Sequence, residues 1–176
     1  PEPPSVRHAL TGATVIVNCS ASDETVGKDR YREELIRSQS ARLVCGYVYA
    51  NAGEGESTQD LVFGGQNVIA ENGTILSCSE RFQNGITYGD VDVCRLTAER
   101  RRMNTFSVEN NDAYTEVGFH LSMEDTKLDR PIDPSPFVPA DKSDRDRRCE
   151  EILSIQAMGL KKRLEHTGCW SAVAGI

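Results

Sequence analysis

The residues of this chain equipped for chemistry are six cysteines, three histidines, one glycine-rich acidic loop and a few lysines near hydroxyls. The cysteines stand at 19, 45, 78, 94, 149 and 169, with no Cys-x-x-Cys pair and no histidine close by, which is not the spacing of a zinc site or a redox motif. Several fall inside apolar, strand-like runs and read as buried free thiols of a reducing compartment. Cys19 ends one such run beside a polar loop, where a nucleophile would sit, but no His or Lys neighbour activates it, and it reads as a core thiol. His8, His120 and His166 are far apart and belong to no partner motif. Gly53-Glu-Gly-Glu-Ser-Thr58 has the glycines of an anion cradle; Glu54 and Glu56 would repel phosphate, and no Lys-Ser/Thr follows. It reads as a tight loop whose glutamates could line a substrate entrance. Lys28, taken alone, is a solvated surface lysine. The cluster Glu99-Arg-Arg-Arg102 reads as a solvated helix face that could also meet an acidic partner or a neighbouring subunit.

Bulk composition narrows the function classes. The chain has 176 residues, 38% hydrophobic, enough for one domain with a core and too few for two full domains. A formal net charge of -7 with 27% charged residues offers no basic face for phosphate, so nucleic acid is not an expected partner. No apolar run approaches the roughly 18 residues needed to span a bilayer, and the first residues carry no signal-peptide apolar region. A soluble, cytoplasmic product is expected.

The elements that position these residues follow from hydrophobic periodicity. Ala13-Thr-Val-Ile-Val-Asn-Cys19 is a continuous apolar, β-branched run and predicts a strand buried on both faces, ending in a polar turn from Ser20 to Gly27. Asp29 to Gly46 places Leu35, Ile36, Leu43 and Val44 near helical spacing, and Tyr47-Val-Tyr-Ala50 reads as the next strand. Strand, helix, strand is the order, with a right-handed crossover expected. Asn67 to Glu71 and Thr74 to Cys78 flank Asn72-Gly73, the dipeptide that accepts positive φ at both positions of a hairpin turn. Gly89 to Cys94 alternates apolar with acidic residues and predicts a half-exposed strand, followed by a short basic helix from Leu96 to Met103. From Ser107 to Ser143 the composition turns to Asn, Asp, Glu and four prolines, the texture of an extended linker. Asp144 to His166 predicts a helix with a basic last turn, and Ser171 to Ile176 a further strand.

Taken together, Asn18-Cys-Ser-Ala-Ser22, Thr25-Val-Gly-Lys28, Tyr47-Val-Tyr49, Gly53-Glu-Gly-Glu-Ser-Thr-Gln-Asp-Leu-Val-Phe63 and Ser79-Glu-Arg-Phe82 resemble the glutamine-dependent NAD synthetases. These enzymes fuse a nitrilase-type amidase to an ATP-pyrophosphatase domain. The resemblance runs from about residue 5 to 106 and resumes at Pro136-Phe-Val-Pro139 and from Arg148 through Leu160. It implies an α/β fold, part of the α-β-β-α sandwich of the nitrilase superfamily, with residues 1–106 as the second half of the glutaminase domain. Residues 107–143 would be linker, and 144–176 a helix and strand opening the synthetase domain. It further implies that the chain is an internal piece. The family's nucleophilic Cys lies in a Cys-Glu-Asp element expected just before Pro1, its general-base Glu and oxyanion Lys further upstream, and its ATP-cradling Ser-Gly-Gly-Leu-Asp-Ser loop after Ile176. No catalytic residue is therefore expected here.

What the resemblance assigns to this chain is L-glutamine recognition by Ser22 and Lys28. The hydroxyl would hydrogen-bond the substrate's polar end, and the ammonium would pair with its α-carboxylate. No metal or cofactor is expected within the chain; ATP, magnesium and deamido-NAD would bind elsewhere in the parent enzyme, which is expected to be a homo-oligomer. Two other readings stand beside this one. One is a nitrilase-superfamily amidase without a synthetase domain, against which the helix and strand after Arg148 argue. The other is a non-catalytic binding or assembly module.

Overall fold

In the computed structural model, the described residues are 2–57, 59–110, 114–122, 124, 125, 127–139, 141–173 and 175. They form two units, Pro1–Arg130 and Pro131–Ile176. The first contains α1 (Pro4–Leu10), β1 (Val15–Ser20), α2 (Lys28–Leu43), β2 (Gly46–Asn51), β3 (Asn67–Glu71), β4 (Thr74–Cys78) and α3 (Val93–Arg102); the second contains α4 (Lys142–Thr167). This is the α/β class that the alternation of periodicities predicts.

One four-stranded sheet, in the order β1-β2-β3-β4, organises the first unit. β1 and β2 are parallel, with Val15 opposite Gly46 and Ser20 opposite Asn51, so a crossover is required, and α2 supplies it. The other pairings are antiparallel. Asn72 and Gly73 take φ of 42° and 85°, the two positive values that close a two-residue hairpin between Glu71 and Thr74.

α2 lies on one face of the sheet through Arg32, Ile36, Ser40 and Leu43, a stripe one residue wide at spacings of four, four and three. Beneath it the core gathers Ala9, Ile16, Cys45, Tyr47, Tyr49, Val68 and Ala70. Leu35, expected in that stripe, is exposed, because it sits one position off the contact line. Ser40 completes the packing from a polar position: its hydroxyl accepts from Gly73 N–H at 2.9 Å and donates to Arg37 O at 3.0 Å. The helix ends as Val44 turns left-handed, with Val44 N–H on Ala41 O and Cys45 N–H on Ser40 O.

Several expectations are corrected. β1 is buried on one face only: Ile16 is 5% exposed, whereas Val17 on the opposite face is 67% exposed. β1 is an edge strand, and no described layer covers its outer face. Cys19 shares that face with Val15 and Val17 by the two-residue period of a strand, so it is an exposed thiol. Of the cysteines only Cys45 is buried; all six are free thiols. The strand expected from Gly89 to Cys94 is absent, because Asp92 caps a helix there, its carboxylate accepting Arg95 N–H at 2.8 Å. Helix α1, which sequence periodicity did not indicate, starts from Pro4 at its first position. The Glu99–Arg102 cluster is not a uniformly solvated face. Arg100 is buried and donates to Leu43 O at 3.0 Å, Val44 O at 2.9 Å and Ala13 O at 2.8 Å, with its guanidinium 4.7 Å from the Phe106 ring centre.

The described residues between Phe106 and Arg130 are irregular, and Arg130 holds Glu71 of the sheet through both terminal nitrogens at 3.0 and 3.1 Å. In the second unit, Asp141 caps α4 by accepting Asp144 N–H at 2.9 Å, and Gly168 ends it at φ 67°. Its apolar residues Ile152, Leu153, Ile155, Met158 and Leu160 are all exposed. The strand expected from Ser171 falls partly on residues 174 and 176, outside the described set; Ser171, Ala172 and Val173 are irregular.

Candidate functional site

The loop between β1 and α2 begins at the carboxyl end of a parallel strand, where side chains from a loop and the following helix can converge on one volume. Ser22 and Lys28 stand at its two ends, and both line one cleft of about 310 Å³. Asn18 and Ser20 of β1 and Tyr47 and Tyr49 of β2 form its floor, since alternate residues of each strand face the α2 side. Tyr31, Arg32, Leu35 and Gln39 of α2 form one wall, and Pro3 and Ser5 reach it from the start of the chain. Seven of its thirteen lining residues are polar or charged, although most of the lining surface itself is apolar, a mixture compatible with a small-molecule site.

Three sets of contacts hold the loop. Ser22 N–H donates to Asn51 Oδ1 at 2.8 Å, and Asn51 Nδ2 donates to Ser22 O at 2.9 Å. Tyr49 hydroxyl adds a bond to the same Asn51 oxygen at 3.2 Å, fixing the amide's orientation. Next, Asp23 bridges Phe63, and Glu24 N–H donates to Val62 O at 2.7 Å. The third set is ionic and buried. Arg32 Nη2 lies 2.7 Å from Glu24 Oε1, with side chains 5% and 6% exposed, and Arg32 Nη1 donates to Gln66 Oε1 at 2.6 Å. Arg81 spans Glu24 at 3.4 Å and Asp29 at 3.2 Å from outside.

Lys28 is half-buried and points its ammonium at Asp23 Oδ1, 2.6 Å away. That hydrogen bond, then the charge behind it, holds the Asp23 carboxyl below its usual range. An ammonium has three donors, so Lys28 can keep Asp23 and still meet a ligand carboxylate in the cleft. Glu24, Arg32, Asn51 and Gln66 were not found by reading the sequence. Only Arg32 left a signal, a charged residue four positions before Ile36 on the buried stripe of an otherwise ordinary helix.

Cys19 is turned to the other sheet face, away from this cleft, so a nucleophilic role there is excluded by strand alternation. The loop at Gly53 closes as a turn, Glu56 N–H on Gly53 O at 3.3 Å, with Glu54 N–H on Asn84 Oδ1 at 3.1 Å; Thr58 lies outside the described residues. His8 bonds Tyr114 hydroxyl at 3.0 Å and serves packing. Among the described residues no group of three or more His, Cys, Asp or Glu side chains is placed to hold a metal ion, and no helix is long and apolar enough to cross a membrane.

No protein-family model matches the chain. All of it is 42% identical, over 186 aligned residues, to a glutamine-dependent NAD(+) synthetase of Mycobacterium bovis, of which it covers 27%. The Mycobacterium leprae enzyme of the same name is 41% identical with the same coverage. That of Aquifex aeolicus is 30% identical across 96% of this chain and 28% of its own length. The chain thus spans about a quarter of the length of the curated relatives it matches. Among solved structures, a glutamine-dependent NAD(+) synthetase from Cytophaga hutchinsonii is 33% identical over 47% of this chain and 14% of its own, with a TM-score of 0.44. A carbon-nitrogen hydrolase from Helicobacter pylori G27 is 17% identical over 53% of this chain and 37% of its own, also with a TM-score of 0.44. The resemblance drawn from the sequence motifs therefore extends along the whole chain.

Proposed function

We propose that this chain, alike from end to end to a segment of the glutamine-dependent NAD(+) synthetases, is the part of such an enzyme that recognises L-glutamine. The observation that carries the reading is the convergence of Ser22 and Lys28 on one cleft. In it, the Lys28 ammonium meets the α-carboxylate and the Ser22 hydroxyl a polar end of the substrate, while Tyr31, Tyr47 and Tyr49 shield the methylene chain from water. A charge-assisted hydrogen bond is worth roughly 1.5–3 kcal/mol, enough to prefer glutamine over a bare amide.

The contribution we assign to these residues is discrimination, with bond-breaking left to residues elsewhere in the enzyme; Cys19, on the other sheet face, is not placed to take part in this cleft. In the whole enzyme, glutamine would release ammonia for the ATP-dependent amidation of deamido-NAD to NAD. ATP and magnesium would supply activation of the acid being amidated; the donor set described above does not fit a metal ion here, and no step is routed through one. In the same reading residues 1–106 belong to a nitrilase-like glutaminase domain, 107–143 to a linker and 144–176 to the opening of the synthetase domain, in a cytoplasmic homo-oligomer.

The test uses the full-length enzyme with two nitrogen sources. Lys28→Ala and Ser22→Ala are expected to raise KM for glutamine about tenfold or more, the equivalent of roughly 1.4 kcal/mol, and to leave amidation driven by free ammonia unchanged. Unaltered glutamine kinetics in both variants would refute the assignment.

A further inference from the structure

We propose that Arg32 is a positioning residue of this cleft: clamped between Glu24 and Gln66, it sets the placement of the loop that presents Ser22 and Lys28. The proposal rests on the reading of the cleft as a glutamine site. Glu24 lies between the two recognition residues, two positions after Ser22 and four before Lys28, so wherever its carboxylate is fixed the loop must follow. Arg32 lies one helical turn beyond Lys28 on α2, so the same guanidinium holds the helix start that carries the ammonium. Its second partner, Gln66 Oε1 at 2.6 Å, belongs to the residue just before β3. Gln66 in turn donates to Glu33 Oε1 at 3.1 Å, closing the network back onto α2. One planar side chain therefore ties loop, helix and sheet together.

Stability alone does not account for this arrangement. Burying a guanidinium and a carboxylate costs as much solvation as their attraction returns, and apolar residues of the same volume are often as stable or more so. Nor is the pair saturated: among the described residues, Arg32 Nε and Nη2 and Glu24 Oε1 have no aligned hydrogen-bond partner despite the 2.7 Å approach. What a fork of fixed geometry supplies is register, and a lysine cannot reproduce it. Gly64 makes room for the pair, since a Cβ there would stand 2.9 Å from the Glu24 Cδ.

The experiment is steady-state kinetics of the full-length enzyme with glutamine and, separately, ammonia, for Arg32→Lys, Glu24→Gln, Lys28→Ala and the double variant Arg32→Lys/Lys28→Ala. Arg32→Lys and Glu24→Gln keep volume and are each expected to raise KM for glutamine at least fivefold, with the ammonia-driven rate within twofold of the parent. Because Arg32 acts through Lys28 as well as Ser22, its substitution in the Lys28→Ala background is expected to add less than the fivefold it costs in the parent. A raised KM in Lys28→Ala with unchanged KM in Arg32→Lys and Glu24→Gln overturns the proposal alone. So does a fully multiplicative double variant, which would make Arg32 an independent contact. An unchanged KM in Lys28→Ala overturns the reading of the cleft and the proposal with it.

Discussion

Asn51 pairs with Ser22 as a strand residue would, one amide side chain giving and taking a hydrogen bond with the backbone of a residue beyond the end of β1. The parallel ladder stops at Ser20 opposite Asn51, and the side chain carries the pattern two residues further. Asn51→Asp keeps the acceptor and loses the donor, leaving Ser22 O without its partner. A loss of about 1–3 kcal/mol is expected, read as a lower urea midpoint with an unchanged slope.

Arg100 satisfies three backbone carbonyls from inside the protein, those of Ala13, Leu43 and Val44. Burial lowers its pKa from the ordinary arginine value, and it remains a cation at neutral pH. Arg100→Ala removes all three donors at once and opens a void beside Phe106. Destabilisation of about 3–5 kcal/mol is expected, large enough to show as loss of cooperative unfolding.

Burial pushes the Cys45 thiol up to about 11 from its ordinary 9.0. A group whose folded pKa is raised contributes stability that is complete below the unfolded value and lost as pH rises through the folded one. Stability is therefore expected to fall between about pH 9 and 11 in the parent and to fall less in Cys45→Ala. In native protein at neutral pH, Cys45 should resist alkylation until denaturant is added.

The Asp23 carboxyl is held below its ordinary 3.8 by Lys28. With a depressed folded value, the contribution of this pair is present above pH 3.8 and lost as pH falls through the lowered pKa. A carboxyl titration followed by NMR should place the Asp23 midpoint below 3.8, and Lys28→Ala should move it upward. No movement would mean the ammonium is not seated on Asp23 in solution.

Gly64 sits against the Glu24 carboxylate with no space for a side chain. Gly64→Ala must displace a carboxylate that is itself clamped, so overpacking by about 1–3 kcal/mol is expected, measured by thermal melting. The same change made at Gly85, where a Cβ meets nothing within 4 Å, is the control.

The parts of the fold legible in the sequence are those set by local rules. β1, α2 and β2 follow from period, and the hairpin follows from Asn72-Gly73, a pair that accepts positive φ at both positions. What was misread depends on distant partners. Gly89–Cys94 has the alternation of a strand, yet Asp92 caps a helix and no strand edge is offered to it. Cys19 sits in a run apolar enough for a double-sided strand, but among the described residues no layer covers the outer face of β1. Arg100 looks like its two neighbours until Leu43 and Val44, 57 and 56 residues earlier, are brought to it. At the cleft, Ser22 and Lys28 were singled out by the motif around them. Glu24, Gln66 and Asn51 carry no local mark, because their meaning comes from partners 8 to 34 positions away.

Val44 is a β-branched residue in the left-handed region, φ 46°, a conformation that costs about 1–2 kcal/mol, and the Arg100 guanidinium donates to its carbonyl at 2.9 Å. The α2–β2 corner therefore relies on a donor that is synthesised well after the corner itself. At about 5–20 residues per second, a ribosome needs roughly 3–11 s to travel from Val44 to Arg100. Once β2 has been synthesised, α2 and both parallel strands exist for most of that interval without the donor for the Val44 carbonyl. The first half of the sheet is therefore made before it can be locked, and the nascent chain depends on α3 to finish what β1, α2 and β2 begin.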